Sequence, residues 1–347
     1  MPAKLKDIAK SAGVSISTVS RVLNNIPNRT LSDATSQRVI QAAKELGYMS
    51  EASAKLKALV EPSSREAYSI GCILTSDHET FVSPFFSSLL AGIQNTLALT
   101  SGHLTYKLSV MNIMDRGFSL YLESSRLDCA IMLGRTSLEN ITLLKNKIPN
   151  LVYAGVNSIG SDFDEVLCDG YSGALCAVRY LIGLGHRKIG YIGSTQQKYQ
   201  VFNEHRYQGY LDALAKAGIK PDDNYVIDTL LTSSDGYSSM VAMIERENLP
   251  SAIFCGNDTV ALGVMKALDE HGISIPDDIS IIGFDNIETS AYTRPALTTI
   301  AVPTKELGRM AVKIMLDKLE TGRDYALKVN LPFTLIERDS CKALPHA

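Results

Sequence analysis

The sequence lacks the features of a membrane-bound or secreted protein. It has no apolar run long enough to span a bilayer, and we expect no signal peptide because the first residues have the pattern of an amphipathic helix. The six cysteines are scattered without the spacing of metal ligands, which predicts reduced packing residues rather than disulfides or a metal site. These absences predict a cytoplasmic protein that makes no contact with a membrane.

Motifs for catalysis and cofactor binding are also missing. The chain has no phosphate-binding loop of the Walker type, no GxGxxG after a strand, no HExxH and no nucleophile elbow. Its six histidines are scattered, and His186 lies in a Gly-His-Arg turn where a structural role is expected. Enzymatic function is the rival hypothesis from another class, but the sequence offers no site for it, and no cofactor is expected.

Charge is present but unevenly distributed along the chain. Residues 1–60 contain nine Lys and Arg against four acidic residues, a net charge of +5, whereas the whole chain carries −3 and the remainder therefore −8. This division is expected if only the N-terminal segment displaces counterions from phosphates. The larger part then avoids non-specific contact with nucleic acid.

The N-terminal segment has the pattern of a helix-turn-helix. Apolar residues recur at helical spacing from Leu5 to Ala12, Gly13 supplies a turn, and a second helix follows with Ser15 at its expected N-cap. The outward face of this second helix carries short hydrogen-bonding groups and the guanidinium of Arg21. An ordinary surface αα-hairpin would share the apolar spacing, but the polar face and the local charge favour a helix that enters the major groove of DNA.

A change in composition marks a linker between Tyr48 and Tyr68. Residues 61–66 contain the proline, serines and charges that are typical of a linker, and residues 52–59 could form only a short helix that is unstable alone.

From Tyr68 onward, short β-branched runs alternate with longer amphipathic helices. This alternation predicts parallel sheets with helices on both faces, and the number of units predicts an α/β body of two Rossmann-like lobes. The predicted strands are residues 69–74, 130–133, 151–153, 188–192, 252–255 and 279–284. The predicted helices are residues 84–99, 171–184, 202–217, 237–247, 259–271 and 305–320.

Several polar residues follow predicted strands in the second half of the chain. Asn257 and Asp258 follow one strand, Asp285 follows another, and Arg206 lies near the start of a helix. Ligands of open α/β sheets bind beyond the carboxyl ends of the strands, where a guanidinium, carboxylates and an amide can bind vicinal hydroxyls. Asp258 is expected instead to be the N-cap of a helix that begins at Thr259.

Particular strings of the sequence match a known pattern. In the N-terminal segment they are Lys6-Asp7-Ile8-Ala9 to Val14-Ser15, Thr18-Val19-Ser20-Arg21-Val22-Leu23-Asn24, and a third helix over residues 32–46 ended by Gly47-Tyr48. In the body they are residues 185–193, Arg206 with Gly209-Tyr210, residues 256–263, residues 282–286 and residues 294–300. With these strings the chain resembles the lactose-repressor/galactose-repressor family of bacterial regulators over nearly its whole length.

The resemblance implies DNA-contacting roles for residues of the N-terminal headpiece. It places Ile16, Ser17 and Arg21 at base-reading positions. It places Ser15, Thr18, Ser20, Asn24, Ser32 and Thr35 at phosphate-contacting positions. An isoleucine at the first reading position can make only apolar contact, for instance with a thymine methyl group.

In the family, the segment after the headpiece is a hinge helix that folds on DNA and inserts a leucine pair into the minor groove. Here Ser50-Glu51 replaces the usual Pro-Asn, and Leu56 lies one residue from the expected leucine position. Leu56 is the candidate minor-groove residue, and a merely flexible connector is the alternative.

The resemblance also implies an effector site, with Arg206, Asn257 and Asp285 as its ligands. The family lines this site with the residues that open the helix at Pro84, which adds Ser83, Phe85 and Ser87. A core position is the alternative for Phe85. Many family members carry an aspartate that points at the ligand where this chain has Ala154, so this lobe is expected to hold the ligand less tightly or through water.

By resemblance, the chain has an all-α helix-turn-helix headpiece (residues 1–49), a hinge helix and linker (50–67), and a body like periplasmic sugar-binding proteins (68–341). The N-lobe of this body is expected at about residues 68–167 and 302–331, and the C-lobe at about 168–301 and 332–341. Three crossing strands would join the lobes.

The expected function is a sequence-specific repressor that binds double-stranded palindromic operator DNA as a homodimer and is released by a small sugar. Galactose or a galactoside is the first choice of effector. Control by a purine or by a phosphorylated protein corepressor, and a free-standing sugar-binding protein, are the alternatives. The C-terminal residues have no heptad repeat, which favours a dimer over a tetramer joined by a tail.

Overall fold

The computed structural model describes residues 5–23, 33–45, 67–75, 83–100, 106–115, 117–124, 126–134, 137–160, 162–195 and 204–344. The chain divides into two compact units, Met1–Glu66 and Ala67–Ala347.

The described residues of the first unit form three short helices, as the sequence predicts for the headpiece. They are α1 (Leu5–Ala12), α2 (Ile16–Leu23) and α3 (Asp33–Glu45). Gly13 makes the turn between the first two helices with a φ of +66°, a conformation that glycine adopts without strain. Ile8, Val19 and Val39, one from each helix, are fully buried in a shared apolar core. This core leaves the opposite face of α2 available to a partner.

The second unit contains a sheet of six parallel strands in the order β11-β5-β4-β3-β1-β2. The strands are β1 (Tyr68–Leu74), β2 (Tyr106–Asn112), β3 (Cys129–Leu133), β4 (Leu151–Gly155), β5 (Asp164–Cys168) and β11 (Lys328–Leu331). Its helices are α4 (Pro84–Thr100), α5 (Phe118–Ser124), α6 (Leu138–Lys147) and α11 (Thr304–Thr321). Helices α4 and α11 pack closely because Gly92 and Gly308 lie at their contact, where a Cβ would meet the backbone of the other helix.

A second sheet of six strands has the order β12-β10-β9-β8-β6-β7, and only the edge strand β12 is antiparallel to its neighbour. The strands are β6 (Ile189–Gly193), β7 (Val226–Asp228), β8 (Ala252–Cys255), β9 (Ser280–Asp285), β10 (Thr298–Ala301) and β12 (Thr334–Ile336). The helices that pack on this sheet are α7 (Gly170–Gly183), α8 (His205–Lys216), α9 (Ser233–Ile244) and α10 (Asp258–Glu270). Short 3₁₀ helices cover Asp223–Tyr225 and Glu288–Ala291.

The chain passes between the two sheets three times. After Cys168 it leaves the first sheet and enters α7, which packs on strands of the second. After Ala301 it returns to α11, which packs on β3, β4 and β5, and after Leu331 it continues into β12. Each sheet is therefore built from separate parts of the sequence, a connectivity that permits one lobe to rotate against the other.

The α/β class predicted from the sequence is confirmed, but several elements were not predicted. The elements missing from the prediction are strands β2, β5, β7, β10, β11 and β12 and helices α5 and α6. The helix predicted over residues 237–247 begins instead at Ser233, because Thr232 accepts a hydrogen bond from the Asp235 amide and caps it. Among the described residues, no helix is long and apolar enough to cross a membrane.

Candidate functional site

The exposed face of α2 carries most of the predicted DNA-contacting residues that the structure describes. The Ser15 hydroxyl accepts a hydrogen bond from the Thr18 amide at 3.1 Å and caps the helix. Ile16 is 52% exposed in the first turn of the helix. Ser17 and Arg21 are also exposed on this helix.

Two other predicted headpiece residues are described by the structure and two are not. Ser20 and Thr35 are half-buried, on α2 and α3. Asn24 and Ser32, together with the hinge residue Leu56, lie outside the described residues.

In the second unit, Arg206 and Glu204 form an ion pair at the start of α8. The Nε of Arg206 donates to Oε1 of Glu204 at 2.8 Å and its Nη2 donates to Oε2 at 3.2 Å. The Nη1 donates to the Gly256 carbonyl, beyond the end of β8, at 2.6 Å. The side chains are only 4% and 2% exposed, so the pair is buried, and this two-point geometry fixes the orientation of the guanidinium.

Asp285 ends β9 close to this ion pair. The guanidinium of Arg206 lies over the ring of Phe284, 5.6 Å from its centroid. Burial acts to lower the pKa of Arg206, but Glu204 and, more weakly, Asp285 raise it above its usual value. Asp285 has a φ of +112° and Asn286 one of +54°. Such backbone conformations are uncommon for residues other than glycine and often occur at functional sites.

Asn257, not Asp258, caps α10, so the predicted assignment of the cap to Asp258 was wrong. The Asn257 Oδ1 accepts from the Val260 amide at 2.8 Å, and its Nδ2 donates to the Leu231 carbonyl at 3.3 Å. The helix starts one residue earlier than predicted, which turns Asp258 into the interior. There Asp258 accepts hydrogen bonds from the Thr299 hydroxyl and the Ile287 amide.

Sequence reasoning missed two buried polar side chains that follow strands of the two sheets. Asn157, which follows β4 of the first sheet, is 6% exposed and donates its Nδ2 to Oε1 of Glu204 at 3.3 Å. Ser194, which follows β6, is 1% exposed. Asn157 Oδ1 and Ser194 Oγ have no hydrogen-bond partner among the described residues. Buried polar atoms are nearly always paired, so these two indicate a place where a ligand or water binds.

The position of Asn157 shows how the first sheet approaches this region. Ala154, where the family often has an aspartate, lies fully buried within β4. The strand ends at Gly155, and Asn157 supplies the polar group beyond it. Asn157 could have been predicted because it follows a strand, as Asn257 does. Polar residues after strands were considered only in the second half of the chain.

The predicted residues of the first lobe lie at the start of α4. Phe85 is buried in the apolar core that includes the first sheet, as its alternative assignment predicted, with its ring edge-on to that of Phe86. Ser83 precedes the helix and its carbonyl accepts from the Ser87 amide at 3.0 Å, whereas the Ser87 side chain is exposed. Little of the Phe85 ring is left to stack on a ligand.

In the part of the chain that the structure describes, no group of three or more His, Cys, Asp or Glu is arranged to hold a metal ion. The described cysteines are all free thiols. Burial raises the pKa of Cys72 and of Cys129 to about 12, which keeps these thiols protonated and unreactive.

Comparison with known proteins agrees with this division of the chain. Residues 4–51 match the family model described as bacterial regulatory proteins, lacI family, and residues 178–341 match that of a periplasmic binding protein-like domain. The chain is 33% identical to the HTH-type transcriptional repressor PurR of Pectobacterium carotovorum subsp. carotovorum, across 99% of this chain and 98% of that protein. It is 30% identical to the HTH-type transcriptional repressor MelR of Bacillus subtilis, across 97% of each.

A solved structure described as a transcriptional regulator CelR-cellobiose complex has a similar fold. It aligns with a TM-score of 0.70 at 25% identity, over 97% of this chain and 99% of that one. The similarity therefore extends over both units rather than over the body alone.

Proposed function

This chain belongs to the lacI family of bacterial regulatory proteins and is a DNA-binding transcriptional repressor. We propose that a small sugar bound beside Arg206 controls its binding to operator DNA. The named relatives are transcriptional repressors rather than enzymes.

The observation that carries the proposal is the group of polar atoms at the carboxyl ends of the strands. The Arg206 guanidinium, the Asp285 carboxylate and the second hydrogen of the Asn257 amide nitrogen offer donors and acceptors for vicinal hydroxyls. Asn157 Oδ1 and Ser194 Oγ add two buried atoms that have no partner among the described residues. The cellobiose named with the similar CelR structure supports a sugar as the ligand class. Galactose and galactosides are the first compounds to test within that class.

The DNA-binding surface of the proposal is the exposed face of α2. Ile16, Ser17 and Arg21 would reach base edges, and Ser15 and Thr18 would contact phosphates, where short side chains at the start of a helix suit both tasks. Asn24, Ser32 and Thr35 would contact phosphates on either side. Leu56 would enter the minor groove from the hinge segment.

A homodimer would place two copies of this surface on the two half-sites of a palindrome, about one helical turn apart. The effector would bind the state that cannot hold DNA better than the state that can, with a coupling of about 1–3 kcal/mol. The three passages of the chain between its two sheets provide the hinge for such a two-state change.

The test is fluorescence anisotropy of the purified protein on a palindromic site from its own upstream region, with and without a panel of sugars at fixed salt. The proposal expects galactose or a galactoside to weaken binding, and Arg206→Gln to abolish that response while the protein without sugar still binds DNA. If no sugar changes the affinity, the sugar proposal is wrong.

A second candidate is a purine as the effector, which the relatives named PurR favour. Adding hypoxanthine, guanine and adenine to the same panel separates the two. A response to a purine alone would replace the sugar, and an increase in DNA affinity would identify a corepressor.

A further inference from the structure

The charge of Arg206 is already matched inside the protein. Three of its five N–H groups have partners, two on Glu204 and one on the Gly256 carbonyl. Glu204 binds side-on through both carboxylate oxygens, the arrangement that an anionic ligand would otherwise take. Because both side chains are almost fully buried, solvent does not screen this interaction.

Asp285 adds a second negative charge to the same place. Its carboxylate is close enough to contribute to the raised pKa of Arg206. The positive charge of Arg206 is therefore opposed by two carboxylates, one of which it binds directly. A phosphate or carboxylate that approached Arg206 would be repelled by both acids.

The unpaired atom of Asn157 indicates the chemistry of the ligand independently. Its Nδ2 donates to Glu204, and a carboxylate can only accept, so this contact fixes which end of the amide is the oxygen. Oδ1 is therefore a buried acceptor without a partner in the described part of the chain. A ligand that contacts this atom has to donate to it. A hydroxyl group can donate, whereas a carboxylate or a dianionic phosphate ester group cannot.

From these contacts we infer that Glu204 determines specificity: by matching Arg206 it reserves the site for uncharged, hydroxyl-bearing effectors and excludes phosphorylated or carboxylated ones. The inference rests on the proposed function in that it places the effector beside Arg206. The new element is that Glu204 selects the charge of the ligand. Glu204 stays bound to Arg206 when a neutral ligand binds.

The experiment compares wild type with Glu204→Gln, which keeps the shape and one oxygen acceptor for Arg206 but removes the charge. The probes are inorganic phosphate, and galactose against galactose 6-phosphate, titrated by calorimetry and by thermal shift at constant ionic strength. Glu245→Gln is the matched control, because Glu245 is exposed at the end of α9. The double variant Glu204→Gln/Arg206→Gln removes both charges and shows whether any gain in anion binding requires Arg206.

Glu204→Gln should bind phosphate, whereas wild type, the control and the double variant should not. The ratio of galactose 6-phosphate affinity to galactose affinity should rise at least about tenfold in Glu204→Gln, because the removed repulsion acts only on the anion. An unchanged ratio, or no phosphate binding by a folded Glu204→Gln, would overturn the inference.

Two further outcomes keep the inference separate from the proposed function. If no neutral sugar binds wild type but Glu204→Gln gains phosphate binding that requires Arg206, the sugar proposal fails and the role of Glu204 stands. If Glu204→Gln does not fold, wild type and Arg206→Gln decide. Binding of phosphate or galactose 6-phosphate to wild type that Arg206→Gln removes would show that Glu204 does not exclude anions, whereas the inference expects none.

Discussion

Thr299 donates its hydroxyl to Oδ1 of Asp258 across 2.6 Å, and neither side chain reaches solvent. The other carboxylate oxygen accepts from the Ile287 amide at 2.9 Å. Asp258 thereby joins α10 and β10 to the backbone just after Asp285 and Asn286, the two residues with positive φ. Asp258 has no proposed contact with the effector. It nevertheless holds in place the loop that begins with Asp285, a proposed ligand of the effector.

The first prediction is that Asp258 makes the stability of the protein depend on pH. Burial raises the pKa of Asp258 to about 7, against the lowering effect of its hydrogen bonds. A carboxyl with a higher pKa in the folded chain stabilises the fold when it is protonated. Its contribution is complete below about pH 4 and is lost as the pH rises to about 7, at no more than about 1.4 kcal/mol per unit.

Asp258→Asn should therefore remove this slope. In urea unfolding followed by circular dichroism, the stability of wild type relative to the variant should fall between about pH 4 and pH 7 and then level off. Asp269→Asn, which changes an exposed carboxylate on the same helix, is the control and should follow wild type. A constant difference between wild type and Asp258→Asn would contradict the prediction.

The second prediction separates the two roles of Asn257. Asn257→Ala should lower the free energy of unfolding by about 1 kcal/mol, because the Val260 amide loses its cap. Asn257→Ser keeps a capping oxygen and should stay close to wild type in stability. Both variants should weaken binding of the effector, since both lose the amide nitrogen. Unfolding and sugar titrations of the two proteins check this, and full sugar affinity in Asn257→Ser would restrict Asn257 to capping.

The sequence predicted the α/β class and the strands with continuous apolar runs, because burial on both faces leaves a strong pattern. Residues 252–255 were predicted with the bounds that the structure shows for β8. Strand β5 was missed for a physical reason. It begins with Asp164 and Glu165, which are fully buried, and a pattern of apolar residues cannot reveal a strand whose charges are matched by Arg323 and Lys328 from the distant β11 region.

Part of the candidate site could also be predicted from the sequence. Arg206, Asn257 and Asp285 were predicted from the family resemblance, and Asn257 and Asp285 also from their places at the ends of predicted strands. Glu204 and Asn157 were missed because their importance comes from a contact between residues 47 positions apart. Only the fold brings the loop after β4 of one sheet against the start of α8, which packs on the other.

The third prediction concerns the buried ion pair between Asp164, in β5 of the first sheet, and Arg323, which lies between α11 and β11. Arg323 donates to both oxygens of Asp164 at 2.7 Å, and these side chains are 4% and 0% exposed. Asp164→Asn should lower the free energy of unfolding by about 3 kcal/mol, since the counter-ion that remains for the buried guanidinium among the described residues is the half-exposed Asp317.

Asp277→Asn provides the control for Asp164→Asn. It breaks a salt bridge between Asp277 and Lys342, whose side chains are 77% and 36% exposed, and should leave the unfolding curve unchanged. Equal effects of the two substitutions in urea unfolding would show that burial does not govern the strength of these pairs.

The last prediction tests the reading face of α2 through Arg21. Arg21 is exposed in the last turn of the helix and would bind a base edge with two parallel hydrogen bonds. Arg21→Ala should weaken binding to a cognate palindrome by about 1–3 kcal/mol, while binding to unrelated DNA changes much less.

Arg21→Lys separates charge from geometry, because a lysine keeps the cation but lacks the planar fork of two donors. It should retain the dependence of affinity on salt and yet discriminate less between bases at one position of each half-site. Lys216→Ala, an exposed cation on the body, is the control and should bind as wild type. Anisotropy titrations at several salt concentrations, on a set of sites with single base changes, measure both quantities. If Arg21→Lys kept full discrimination, Arg21 would be a phosphate contact, and the bases would be read by Ile16 and Ser17.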